Sequence, residues 1–131
     1  MRWPALAPGL VLVVAACQAT RERPSADAAR LAAADRALAA AIAKAKAAGT
    51  TKDACAGLPE LSAKLDELHE VAPPAGREQE FGEQRNGLVM KLDVLQRQTC
   101  GDPGSTPDMI FDDLDSLRER LTKLEGIGAR P

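Results

Sequence analysis

Ile110-Phe111-Asp112-Asp113-Leu114-Asp115-Ser116-Leu117-Arg118-Glu119-Arg120-Leu121-Thr122-Lys123-Leu124 spaces its large aliphatic residues in alternating steps of four and three. With 3.6 residues per turn, those steps put Ile110, Leu114, Leu117, Leu121 and Leu124 on one stripe of an α-helix. The stripe is a heptad-like seam two heptads long. Its start is marked as well: Thr106 suits the N-cap, Pro107 the first helical position and Asp108 the next. Asp112, Asp113 and Asp115 fill the front half, and Arg118, Arg120 and Lys123 the back half. That order follows the helix dipole. A helix with one apolar stripe needs other elements to bury it against.

The chain upstream supplies three. Phe81, Leu88, Leu92 and Leu95, with Val89 beside them, define one face of a helix from about Arg77 to Thr99. Gly82 and Gly87 lie inside it and weaken it, each by up to about 1 kcal/mol relative to Ala, unless they let another helix approach closely. Asp93 and Arg97 pair on its outside. Leu58, Leu61, Leu65 and Leu68 give a clean stripe for a helix opened by Pro59 and running to about Val71, with Glu60 and Lys64 as an i,i+4 pair on the wet face. Pro73-Pro74-Ala75-Gly76 breaks the two apart, so they should lie antiparallel. The first helix spans Ser25 to Ala48, with Ser25 as N-cap, Asp27 in its first turn and Lys44 and Lys46 near its end. Fourteen of the 23 residues from Ala26 to Ala48 are alanine, and only Leu31, Leu38 and Ile42 are large and apolar. So thin a stripe fits either close packing through alanine or a solvated stalk. The shared face of the three large residues favours packing. Thr50–Gly57 is a connection, and Gly126–Pro131 a frayed tail. The fold class is all-α, a small three- or four-helix bundle over residues 25–125, with 126–131 as a flexible tail.

Ahead of the bundle, Arg2 and the amino terminus form a positive end, and Leu10 to Ala16 an apolar run. That run is far shorter than the roughly 20 residues a membrane span needs. It has instead the layout of a secretory signal. Val14-Ala15-Ala16-Cys17 resembles the lipobox of bacterial lipoproteins, and the resemblance covers residues 1–17 alone. It implies removal of residues 1–16, acylation of Cys17 as the first residue of the mature protein, and a cell-envelope location, lipid-anchored in the outer membrane and facing the periplasm. Two or three acyl chains anchor stably, since each buried methylene contributes about 0.8 kcal/mol. The same bond also suits ordinary signal peptidase, which leaves Cys17 unmodified. Residues 17–24 become the lipidated N-terminus and linker, at most about 25 Å long from Gln18 to Pro24.

With Cys17 assigned to lipid, Cys55 and Cys100 remain as an even pair in an oxidising compartment, where a disulfide is the default. The antiparallel pairing of the second and third helices puts both cysteines at one end of that hairpin. The third helix is longer by more than a turn, so the proline turn must absorb several residues.

Removing residues 1–16 leaves 16 basic and 19 acidic residues, a net charge of −3. No nucleic-acid footprint exists in such a balance. Phe81 and Phe111 are the mature chain's only aromatics, too few for a stacking platform. His69 is the single histidine, with Asp66 three residues before it. Two groups fall short of the three or four ligands of a zinc site, so His69 is a weak metal candidate and reads as a boundary residue. Met90 and Met109, with His69, are the candidate contacts of a haem, metal or small-ligand bundle. Met90 falls beside the apolar face and Met109 at a helix entry, where core filling is the usual role. The Asp run after Pro107 lacks the spacing and glycine of a calcium loop. No Gly-x-Ser-x-Gly, phosphate-cradling loop or Cys–His nucleophile is present. The expectation is a non-enzymatic, lipid-anchored protein with no cofactor, held to a membrane and offering its helical surface to a protein partner. The alternative is the ligand-binding bundle, which requires His69 to face inward.

Overall fold

A computed structural model describes residues 25–128. The expected signal segment 1–16, Cys17 and the expected linker 17–24 lie outside the described residues, as do residues 129–131. Among the described residues, four main helices and one short one follow in order: α1 (Ala26–Ala47), α2 (Thr51–Ala54), α3 (Leu58–Asp66), α4 (Glu78–Val94) and α5 (Pro107–Gly128). A 3₁₀ turn, Glu67–Glu70, extends α3, and a π-turn, Leu95–Thr99, extends α4. The bundle is all-α, with no strand among the described residues.

The seam of α5 is the axis of the bundle. Ile110, Leu114, Leu117, Leu121 and Leu124 are all buried, and α5 packs against both α1 and α4. Buried Leu58, Leu61, Leu65 and Leu68 close the core from α3, and Phe81, Leu88, Leu92 and Leu95 from α4. The seam continues past its expected end. Ile127 is buried and α5 runs to Gly128, so Gly126–Gly128 belong to the helix and not to a flexible tail. The reason is spacing: Ile127 lies three residues beyond Leu124, so the final turn keeps a large side chain against the bundle.

Helix α1 docks; it is not a stalk. Its N-cap forms as expected, with the Ala28 amide donating to Ser25 Oγ at 3.0 Å. Ala34, Ala41 and Ala45 are buried along with Leu38 and Ile42, so small side chains bring this helix close to its neighbours. One close approach is at Gly57, where a Cβ would lie 3.1 Å from the Ala41 Cα and 3.3 Å from its Cβ. The two glycines of α4 do not play this part. A Cβ at Gly82 meets nothing within 4 Å, and at Gly87 it meets only the flexible end of Arg120. A paired prediction follows from this contrast. Gly57→Ala should destabilise by about 1–2 kcal/mol, because a backbone must give way. Gly82→Ala should stabilise by about 0.5–1 kcal/mol through helix propensity alone. Urea midpoints of the two variants test both signs.

The connections hold further departures from expectation. Thr50–Gly57 contains the short helix α2, capped by Thr50 Oγ1, which accepts from the Asp53 amide at 3.1 Å. Lys64 pairs with Glu67 at 3.6 Å rather than with Glu60, whereas Asp93 and Arg97 pair as spaced, at 2.9 Å. The length mismatch between α3 and α4 is taken up in two ways. The 3₁₀ turn climbs about 2 Å per residue against 1.5 Å for α-helix, and the link Val71–Arg77 covers the rest, reversing at Gly76 with φ of +83°. The disulfide Cys55–Cys100 joins the end of α2 to the end of the π-turn, with 6.2 Å between Cα atoms. Beside it, the Thr51 hydroxyl donates to the Ser105 carbonyl at 2.6 Å.

Candidate functional site

A concavity lies at the pole opposite the disulfide. It is a groove of about 460 Å³ between the first three turns of α1, the residues Val71 and Ala72, and the last turn of α5. Each wall has a local cause. Ser25 fixes the start of α1, which sets Asp27 in the first turn. Asp27 bonds Arg30 at 3.2 Å and accepts from the Ala72 amide, also at 3.2 Å, so it ties the exit of the 3₁₀ turn to α1. Leu31 and Val71 supply apolar floor, and Gly128 leaves space that a Cβ would narrow, 3.5 Å from Leu31 Cδ1.

Asp35, Arg36 and Glu125, with Asp27, give the rim its charge. Glu125 is half-buried. Burial, and then the Asp35 carboxylate, raise its pKa above the ordinary glutamate value. The folded state therefore binds this proton more tightly than the unfolded chain does. Stability carried by protonated Glu125 is present at low pH and is lost as pH rises through its raised pKa. Glu125→Gln should accordingly flatten the pH dependence of Tm above the ordinary glutamate range and raise Tm slightly at pH 7. The gain should stay below about 1 kcal/mol, since water screens a partly exposed group. Thermal melts at pH 4 and pH 7 check it. Chemically, a half-apolar groove edged by three carboxylates and one guanidinium suits a ligand with an apolar body and a polar end.

The residues singled out in the sequence go elsewhere. Cys55 and Cys100 are bonded to each other. His69 is exposed, and its Nδ1 donates to the carbonyl of Asp66 in its own turn, 3.0 Å away. Met90 is 68% exposed and Met109 45%, so neither fills the core. Met90 lies two residues from both Leu88 and Leu92, about 160° around the helix from each, which puts it on the outer face. Among the described residues no group of three His, Cys, Asp or Glu side chains is placed to hold a metal ion, and no helix is long and apolar enough to cross a membrane. No protein family, curated protein or solved structure matches the chain. The groove was not anticipated from sequence because its walls come from three separated segments. Glu125 carried the one available signal: an acidic residue next to the last leucine of the seam, in the final turn, where the helix dipole disfavours it.

Proposed function

We propose that this is a lipid-anchored cell-envelope protein whose bundle serves as a non-enzymatic interaction or structural module. The observation that carries the proposal is the apolar run Leu10–Ala16 ending at Cys17, eight residues before the first bundle residue. The Cys55–Cys100 bond supports it, since disulfides persist in oxidising compartments. With two of three cysteines bonded to each other, the third stands where a lipid is attached in lipoproteins. The heptad-like seam of α5 is used up inside the bundle, so a protein partner must read the outer surface, where Met90 and Val94 are exposed one turn apart on α4.

The competing ligand-binding reading needed an inward His69 with a second ligand in reach. His69 faces solvent instead, and that version loses its central residue. Intact-mass and peptide mass spectrometry of the mature protein test the anchor. The expected N-terminal residue is acylated Cys17, and Cys17→Ser should move the protein from the membrane to the soluble fraction. A mature chain beginning at Met1, or one with an unmodified Cys17, overturns the proposal.

A further inference from the structure

The turn that delivers Cys100 to Cys55 is wound differently from the helix it ends. In an α-helix the Cys100 amide would donate to the Gln96 carbonyl. Here it donates to Leu95, five residues back, at 2.9 Å. An i→i+5 bond gives residue i+5 the station that i+4 holds in an α-turn. At about 100° per residue, an i+4 station lies about 40° around from Leu95, while Cys100 in unbroken α winding would lie about 140° around. Leu95 is buried on the core face. The π-turn thus brings Cys100 onto that face, packed against the core with Cys55, and plain α winding would aim it along the flank. The wrapping is tight on the far side as well: a Cβ at Gly101 would stand 3.0 Å from the Arg97 carbonyl oxygen.

From this we infer that the bridge and the π-turn hold each other in place, so that the Cys55–Cys100 pair is a redox-sensitive register switch. The step is thiol–disulfide exchange with a dithiol. Two electrons and two protons pass to the cysteines, the Sγ–Sγ bond breaks, two thiols form, and the dithiol closes into its own disulfide. Once the bridge opens, Leu95–Thr99 rewinds to the commoner α register and Cys100 swings about 100° off the core face. The coupling is reciprocal: whatever favours the wide turn favours the bridge to the same degree. The inference does not depend on the lipid anchor.

The experiment follows the acceptor of one hydrogen bond. In the isotopically labelled full chain, scalar coupling across the bond from the Cys100 amide should report the Leu95 carbonyl when oxidised. After treatment with dithiothreitol it should report the Gln96 carbonyl, with far-UV helix signal retained. Leu95 persisting as acceptor in the reduced chain overturns the inference. So does collapse of the helix signal, because a register change needs the rest of the bundle standing. A second variant is independent of reduction. Deleting Gln98 makes the cysteine an ordinary i+4 neighbour of Leu95, so the oxidised deletion chain should still close the bridge, by thiol count, and show α-type bonding throughout the turn. A deletion chain with both thiols free overturns the inference as well.

Discussion

Replacing both bonded cysteines, Cys55→Ala with Cys100→Ala, should lower stability by roughly 4 kcal/mol. The bond closes a loop with a sequence separation of 45, and in the chain-entropy description a loop of that length stabilises by about this amount through the unfolded state. A domain of this size changes its Tm by about 4–8 °C per kcal/mol, so the melting point should fall by about 15–30 °C. Calorimetry of the double variant, beside the parent with and without reductant, is the measurement. The fully reduced parent should melt near the variant. A shift under 5 °C would mean that α2 and the Gly101–Thr106 loop are held by other contacts, of which the Thr51–Ser105 hydrogen bond is the clearest.

The second large effect is expected at Phe81. It is fully buried, the largest side chain in the core, and it stands where α4 meets the last turn of α5. A Cβ built at Gly128 would lie 3.6 Å from its ring, and the Arg85 guanidinium sits 5.8 Å from the ring centroid. Phe81→Ala removes the ring and leaves a cavity that close-packed leucines fill poorly, which costs about 3–5 kcal/mol. It also removes the π-face beneath a half-buried cation whose Nε has no hydrogen-bond partner. Phe111, the other aromatic of the bundle, is only partly buried, and Phe111→Ala should have a clearly smaller effect. Chemical denaturation of the pair gives the comparison, and equal losses would refute the ranking.

Most of the bundle was legible because leucine spacing is a direct record of helical burial. Leu58 to Leu68 and Ile110 to Leu124 read without ambiguity, and every large residue of both stripes is buried. Legibility failed where burial is achieved without large side chains, or where winding departs from α. The alanines of α1 do not show which of their number face inward; Ala34, Ala41 and Ala45 are chosen by the neighbours. The π-turn left no trace, because no large apolar residue follows Leu95 in that helix to reveal a slipped register. Ile127 was hidden between Gly126 and Gly128, two residues that usually announce a helix end. Met90 was misplaced by adjacency in sequence, where angle around the helix decides. As for the site, the cysteine pair was readable from parity and topology, while a groove assembled from residues near 30, 71 and 125 was not.

Ser25 and Gly128 line the same groove, and the bridge lies at the other pole. Consider tension applied between those two positions. Both handles are at one end of the α1–α5 contact, so the load peels the two helices apart turn by turn and does not slide them past one another. Peeling would proceed toward a point it cannot pass. The segment from Cys55 to Cys100 is closed on itself by a covalent bond, which shortens the fully drawn-out chain by about 150 Å at 3.3–3.6 Å per residue. A bundle pulled between Ser25 and Gly128 is thus compliant at its near pole and has a fixed stop at its far pole.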